Sequence, residues 1–198
     1  MAITNGYCTL AQIKAAVGIE DGLADALLEM AVDAASRLID AECDRVFYTT
    51  DNATRVFLAV EPNVVATDDL TAVTTVELDD TGDGAFSVTL LTSDYQLEPL
   101  NGLSGGGAYP YTRVRMIGAY TIPIWGGQAT VRITGDYGFA PTPAQVTQAC
   151  VIQASRIYKR LDSPLGVAGF GDMGAMRVGK TDPDVAMLIR PYKKHASA

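Results

Sequence analysis

The periodicity of the apolar residues changes twice along the chain, and the order of the resulting helical and β segments limits the possible folds more than any other feature. Helical periodicity governs the first part, short β-rich runs separated by turn residues follow from about residue 46 to residue 137, and helical periodicity then returns. We therefore expect an α+β fold in which N- and C-terminal helices form a helical bundle with an inserted antiparallel β subdomain. A Gly-rich C-terminal arm completes this prediction.

The predicted domain boundaries lie where the periodicity changes. Thr142-Pro143 is typical of a helix start, and Pro164 prevents the helix that follows from continuing. Asp182-Pro183 opens a last short helix, which Pro191 closes. The predicted parts are residues 1–47 for the first part of the helical bundle, 48–140 for the β insertion, 141–162 for the second part of the bundle and 163–198 for a flexible C-terminal arm with a short terminal helix.

Two helices are predicted in the N-terminal part. Thr9 and Gln12 have the spacing of a capping box, and Gly18 is a suitable end for the helix that they open. A second helix follows Asp21 and runs to about Asp44. Its apolar residues fall on two stripes, one of Leu23, Leu27, Met30, Ala34, Leu38 and Ala41 and one of Leu28, Val32, Ala35 and Ile39. Two stripes predict burial on more than one side, so we expect this helix to be central to the bundle.

The remaining face of the second helix is acidic. Its carboxylates are mostly four residues apart, and like charges at that spacing cost roughly a few tenths of a kcal/mol per pair. A solvated helix face accounts for them, and so does a wall facing DNA that passes through a channel without sticking. The residues of this solvent-facing or channel-facing stripe are Asp25, Glu29, Asp33, Asp40 and Asp44.

Charge is divided unevenly between the two halves of the chain. The net charge is −8, but residues 1–99 hold 4 basic and 18 acidic residues, whereas residues 100–198 hold 11 and 5. Because an acidic surface attracts a basic one, copies of such a chain can pack head to tail. The overall acidity disfavours specific binding of nucleic acid, whose phosphates it repels.

The composition is that of a globular protein without a membrane segment. Hydrophobic residues make up 48% of the chain and charged residues 19%, which excludes a disordered protein. The uncharged run Met116 to Val131 is interrupted by Pro123 and is shorter than the roughly 20 apolar residues of a spanning helix. No basic segment precedes an apolar core at the start. We therefore expect synthesis in the cytoplasm without a signal peptide, and no membrane partner.

Residue types that carry catalysis or bind metals are sparse. Cys8, Cys43 and Cys150 are far apart in the sequence, and His195 is the only histidine. These residues offer neither a zinc cluster nor a His-based catalytic triad. The carboxylate pair Asp68-Asp69 lies in loop-like composition without a base or apolar pocket beside it. We therefore expect no catalytic residues, no metal site and no cofactor, and predict that the protein is not an enzyme.

Three ligand-binding patterns lack the context that gives them meaning. Gly174–Thr181 satisfies the P-loop spacing and Gly169–Gly174 the dinucleotide-binding spacing, but neither follows a predicted strand. Asp79–Gly84 resembles the first half of a calcium loop, but Leu90 stands where the bidentate Glu is required. A mobile arm explains the first two and a hairpin turn the third. The alternatives from other classes are a nucleotide-binding protein using Gly174–Thr181 and a β module that binds glycan or a host surface through Gly102–Tyr111.

Several short segments, taken in order and with their spacing, carry a resemblance to a known family. They are Tyr7-Cys8-Thr9-Leu10, Leu27-Leu28, Ala34 to Ile39, Thr134 to Phe139 ahead of Pro143, Ala154 to Arg160, Asp162 to Val167 and Asp182 to Val185. Together they resemble the head–tail connector (adaptor or head-completion) proteins of tailed bacteriophages. The resemblance covers both helical ends and the tail, whereas the β middle matches only loosely.

The resemblance implies a structural protein of the virion neck, made in the cytoplasm of the bacterial host. It implies a homo-oligomeric ring, commonly of twelve copies, that lies below the portal, connects capsid to tail and lines the DNA exit channel. A stopper or tail-completion protein would bind on the tail side, and such a neighbouring neck protein is also the alternative identity. The resemblance further implies a C-terminal arm that docks on the portal. Its candidate portal-binding residues are Phe170, Met173, Met176, Arg177, Lys180, Leu188, Arg190, Lys193 and Lys194.

Overall fold

The computed structural model describes residues 2–101, 109–160 and 182–194. The chain divides into two units, each with its own core. Met1–Tyr48 and Pro141–Ala198 belong to the first, which contains the helices, and Thr49–Ala140 form the second, which contains the strands. The described residues hold four α-helices and one six-stranded antiparallel sheet, so the fold is mixed α+β as predicted.

Helix ends in the first unit follow from local capping. The helices are α1 Leu10–Val17, α2 Asp25–Cys43, α3 Ala144–Lys159 and α4 Pro183–Ile189, and a 3₁₀ turn over Arg190–Tyr192 follows α4. The predicted capping box is present, since the Thr9 hydroxyl accepts from the Gln12 amide and the Gln12 side chain accepts from the Thr9 amide. Gly18 ends α1 with a φ of 74°, also as predicted. The predicted start of α2 after Asp21 is wrong, because the Asp21 carboxylate instead closes a turn by accepting from the Leu23 amide.

The helical unit is organised around α3. This helix packs against both α2 and α4, and α1 contacts both α2 and α3. The second apolar stripe of α2 faces this core, as predicted, and we call it the inner stripe. Its residues are Leu28, Val32, Ala35 and Ile39, all buried. Other fully buried members of the helical unit are Ile13, Phe47, Val146 and Ile189.

The first apolar stripe of α2 is exposed, so the predicted burial of this helix on two sides is wrong within one chain. Leu23, Leu27, Met30 and Leu38 expose 93, 47, 54 and 52% of their surface, and Ala34 and Ala41 are exposed with them. We call these six residues the outer stripe. Ser36 touches Cys150 of α3 at 3.4 Å, and at 100° per residue Ala34 and Leu38 lie about 160° around α2 from Ser36. The outer stripe therefore points away from α3.

The second unit is one twisted antiparallel sheet. Its strands are β1 Thr50–Phe57, β2 Val64–Leu78, β3 Val88–Thr89, β4 Tyr95–Glu98, β5 Tyr111–Met116 and β6 Val131–Tyr137. Their order is β1-β6-β2-β5-β4, with β3 paired to the end of β2. The long strand β2 pairs with β5 through its first half and with β6 through the rest. Every second residue of β6 is buried, which is the alternation that its sequence predicts.

The carboxylate pair Asp68-Asp69 lies in β2, so its assignment to a loop is wrong. The Asp68 carboxylate pairs with Arg55 of β1 at 2.6 Å, and the Asp69 side chain is buried. The Asp69 carbonyl accepts from the Gly138 amide at 2.8 Å. These contacts keep a polar segment in the sheet, although its composition is typical of a turn.

The segment Thr134–Phe139 has a structural explanation within the sheet. A Cβ on Gly135 would lie 2.2 Å from the Ala72 carbonyl oxygen, so only glycine fits where β6 crosses an irregular part of β2. The Asp136 carboxylate accepts from the Asn52 amide at 2.8 Å, and Tyr137 is fully buried. The geometry of the sheet therefore explains the residues found in this part of the resemblance.

Candidate functional site

The acidic stripe of α2 is partly occupied by contacts within the chain. Asp25 pairs with Lys14 of α1 at 2.6 Å, and Asp33 accepts from the Thr4 amide at 3.2 Å. Glu29 is half-buried, and Asp44 is exposed beyond the end of the helix, where it has a φ of 53°. The stripe thus anchors the N-terminal segment and α1 to α2. Its channel-facing role stays a prediction.

Asp40 is the centre of a network that binds three segments together. Its carboxylate accepts from the Tyr7 hydroxyl and pairs with Arg37 at 2.9 Å. The Tyr7 hydroxyl in turn accepts from the Phe47 amide at 2.8 Å, and the Tyr7 amide donates to Ser36 at 3.1 Å. The network therefore ties the N-terminal segment and the segment after α2 to the helix itself.

The electrostatics of this network indicate structure and not catalysis. Burial raises the pKa of Asp40 above its ordinary value, although the hydrogen bond from Tyr7 and the charge of Arg37 oppose the change. Burial and the bond to Asp40 also raise the pKa of the Tyr7 hydroxyl, so it stays a neutral donor at physiological pH. A general base needs a pKa near the working pH and an approach for substrate, and Tyr7 offers neither, since its side chain is buried.

The C-terminal residues that the structure describes pack on the helical unit. Val185, Ile189 and Tyr192 are buried, and the Tyr192 hydroxyl donates to the Gln145 side chain of α3 at 3.0 Å. At the start of α4, Asp182 pairs with Arg156 of α3 at 3.1 Å. Residues 182–194 are therefore held by the helical unit, which differs from the expected flexible arm over residues 163–198.

The nine candidate portal-binding residues fall into two groups. Of those on or after α4, Leu188 and Lys194 are half-buried, Arg190 is exposed and Lys193 forms an ion pair with Glu42. The other five lie outside the described residues, as do both glycine-rich phosphate-binding patterns. Those five are Phe170, Met173, Met176, Arg177 and Lys180.

The three cysteines are buried parts of the helical core. Cys8 and Cys150 lie with their sulfur atoms 3.4 Å apart, and the contact with Cys150 together with burial raises the pKa of the Cys8 thiol. Burial raises the pKa of Cys43 to about 11. No group of three or more His, Cys, Asp or Glu side chains within residues 2–101, 109–160 and 182–194 is arranged to hold a metal ion. In the same ranges no helix is long and apolar enough to cross a membrane.

The partial calcium loop after β2 is a turn built on Asp79. This buried carboxylate accepts from the backbone amides of Thr81, Gly82 and Gly84, at 3.2, 2.7 and 2.8 Å. These bonds hold the pKa of Asp79 below its ordinary value, although burial acts in the opposite direction. The oxygens that a cation needs therefore already accept bonds from the loop itself, which fits the hairpin-turn interpretation.

The outer stripe is the largest surface that sequence reasoning assigned to the wrong environment. Its spacing of three and four residues was visible in the sequence, but this spacing indicates only a contact face and does not identify what covers it. With the charged edge of α2 beside it, the stripe has the composition of a contact surface between proteins.

Comparison with solved structures finds proteins of the same fold in the neck of another particle. The chain matches a protein in the neck of an empty gene transfer agent (GTA) particle, computed with C6 symmetry, with a TM-score of 0.59 and 18% identity. This match covers 100% of the chain and 95% of the other protein. The neck of the native GTA particle, computed with C12 symmetry, gives a TM-score of 0.56 and 16% identity over 100% of this chain and 94% of that one.

A third match, from the virion of the native GTA particle, has a TM-score of 0.54 and 16% identity, with coverage of 100% and 95%. No protein-family profile matches the chain, and no curated protein sequence matches it. The solved structures show the fold. The connector resemblance read from the sequence is confirmed at that level, since fold-mates over the whole chain are neck proteins of a phage-like particle.

Proposed function

We propose that the chain is a structural head-to-tail adaptor in the neck of a tailed phage or phage-like particle. It forms a ring of copies, twelve by the family resemblance, that lies below the portal, connects capsid to tail and lines the DNA exit channel. It has no catalytic role in this proposal. The observation that carries it is the fold match over the complete chain to neck proteins of symmetric particles.

The ring proposal is supported by the symmetry of the matching particles and by the charge of the chain. The two neck reconstructions were computed with C6 and C12 symmetry, which a ring of identical subunits satisfies. The acidic N-terminal half and basic C-terminal half provide complementary surfaces for neighbours within a ring or between stacked rings. The acidic stripe of α2 suits a channel wall, because it repels the phosphates of passing DNA.

Portal docking is proposed for the apolar and basic residues of the C-terminal arm. Changing Phe170, Met173 and Met176 together to serine should remove portal binding, because apolar anchors supply most of the affinity of such contacts. Truncation at residue 166 is a poorer test, since it also removes Val185 and Ile189 from the helical core. The control is Leu91→Ser, at an exposed residue of the sheet unit. Binding of purified portal by the triple variant at the parental affinity would contradict the assignment.

Deletion of the gene from its particle, with electron microscopy of the lysate, tests the neck role itself. The proposal predicts separate tails beside heads that have lost their DNA or fail to retain it. Normal, DNA-filled particles with tails would refute it. A stopper or tail-completion protein would give the same deletion phenotype, so pull-downs then separate the positions: an adaptor binds portal directly, whereas a stopper binds only once the adaptor is present.

A further inference from the structure

We propose that the outer stripe of α2 is the surface that binds a second copy of this chain, and that it receives the exposed face of α4 from that copy. This inference rests on the proposed ring and deepens it by assigning the two faces that meet. The first observation is exposure: Leu27, Met30 and Leu38 follow one face of α2 over about three turns and point away from the core, and exposed Leu23 lies in the turn before the helix. A face of this kind is a contact surface in a soluble protein.

Ring closure sets the geometry of the partner surface. A cyclic ring repeats one head-to-tail contact, so each copy presents two different faces that complement each other. Within the helical unit α3 packs against both α2 and α4, and the residues after α4 also reach the end of α2, where Lys193 pairs with Glu42. Val185 and Ile189 of α4 are buried on the α3 side, whereas Pro183 and Met187 alternate with them and are exposed. The outer stripe and the exposed face of α4 are therefore two different faces of the helical unit, as a head-to-tail contact requires.

Chemistry also matches between the two faces. Met187 exposes 70% of its surface and is an apolar anchor of the size that fits between the leucines of the outer stripe. Arg190 and Asp184 are exposed on either side of Met187. On α2, the outer stripe is bordered by exposed Arg37 on one edge and by exposed Glu42 on the other. An apolar centre with opposite charges at its rim is the usual composition of a specific interface.

Charge counts in the helical unit favour contact between different faces and not between two copies of α2. Residues 2–48 carry 8 acidic and 3 basic side chains, whereas residues 141–160 and 182–194 carry 2 acidic and 6 basic ones. Two α2 helices facing each other would bring two net acidic parts of the chain together, which is unfavourable. An α2 helix facing the C-terminal segment of the next copy brings a net acidic part of the chain against a net basic part.

Cysteine cross-linking in assembled particles tests the contact. The double variant Leu38→Cys and Met187→Cys, treated with a bifunctional maleimide, should give a ladder of covalent multimers on denaturing gels. The three native cysteines are buried and serve as an unreactive background, which the parental chain controls. Each single variant should stay monomeric, since one cysteine supplies only half of the contact. Leu91→Cys with Met187→Cys is the matched control, because Leu91 is equally exposed but lies in the sheet unit.

Several results would overturn the inference. Only monomer from the double variant, in particles that contain the chain, would show that these faces do not meet. Dimers from Leu38→Cys alone would show that α2 meets α2. An intramolecular cross-link between Leu38→Cys and Phe170→Cys in isolated chains would show that the stripe is covered by the chain's own C-terminal segment. Particles that lack the chain altogether would instead contradict the proposed neck function.

A second variant keeps the test decisive if the cysteine pair is not incorporated. Leu27→Gln with Leu38→Gln should leave the thermal midpoint of the isolated chain unchanged, because both side chains are exposed, yet should abolish incorporation into particles. Incorporation at the parental level would overturn the inference. Loss of the folded state would show instead that the outer stripe stabilises the single chain, which also contradicts it.

Discussion

The two apolar stripes of α2 both consist of apolar residues spaced three and four apart, yet only one of them is buried. The inner stripe packs on α3 and forms the core of the helical unit, whereas the outer stripe faces solvent on the opposite side. The difference shows that helical periodicity reveals how many apolar faces a helix has. It does not show which of these faces are covered by the same chain. In an assembly protein, a second face is available for a neighbour.

The largest expected effect comes from one substitution made on each stripe. Leu28→Ala removes a fully buried side chain and should lower the free energy of unfolding by about 2–5 kcal/mol. Leu27→Ala, its neighbour on the outer stripe, should change it by less than about 0.5 kcal/mol. Urea unfolding followed by far-UV circular dichroism measures the helices, while fluorescence of Trp125 follows the sheet unit. Equal losses for the two variants would show that both stripes are buried in the single chain.

A smaller effect is expected at the polar network that holds the inner side of α2 in place. Tyr7→Phe removes the hydroxyl that donates to Asp40 and accepts from the Phe47 amide. Leaving these buried groups without that partner should cost about 1–3 kcal/mol of unfolding free energy. Tyr120→Phe, at an exposed tyrosine of the sheet unit, is the control and should change little. A Tyr7 variant as stable as the parent would mean that the network does not hold these segments.

The smallest effect is a pH dependence at Asp40. Its pKa is raised above 3.8 in the folded chain, so its stabilising contribution is complete below pH 3.8 and is lost as the pH rises through the folded pKa. Asp40→Asn stays neutral, so the variant should gain stability relative to the parent between about pH 4 and pH 7. Paired unfolding curves across that range measure the difference, and a difference that does not change with pH would contradict the assignment.

Carboxylates of the sheet unit should respond to acid in the opposite direction. Hydrogen bonds from Arg132 and Arg115 hold the pKa values of Glu77 and Glu98 below 4.5. Their contribution is present above pH 4.5 and is lost as the pH falls through the lowered values. Both carboxylates are close to the surface, so each pair contributes little. As the pH falls, Asp40 should therefore stabilise the helical unit, whereas the loss of charge on Glu77 and Glu98 should destabilise the sheet unit.

The sequence predicted those features of the fold that depend on neighbouring residues. The capping box at Thr9, the stop at Gly18 and the start of the last helix after Asp182 were all predicted correctly, because caps act within three or four residues. The alternation along β6 was equally visible. The class of fold and its resemblance to neck connectors followed from these local patterns and their order.

Features that depend on distant contacts were not predictable in the same way. Asp68 and Asp69 have the composition of a turn, and they belong to β2 because Arg55 and the backbone of Gly138 hold them there. The acidic stripe was correctly recognised as one face, but its bonds to Thr4 and Lys14 come from segments whose position the sequence does not specify. The environment of the outer stripe depends on another copy in our proposal.

An electron cryo-microscopy reconstruction of the particle neck tests the central claim most directly. The account predicts a ring of this chain between capsid and tail, with the outer stripe of each α2 covered by α4 of the adjacent copy. Met187 should be buried there, while it is exposed in the single chain. A neck without density for this fold, or a ring in which the outer stripe still faces solvent, would contradict the account.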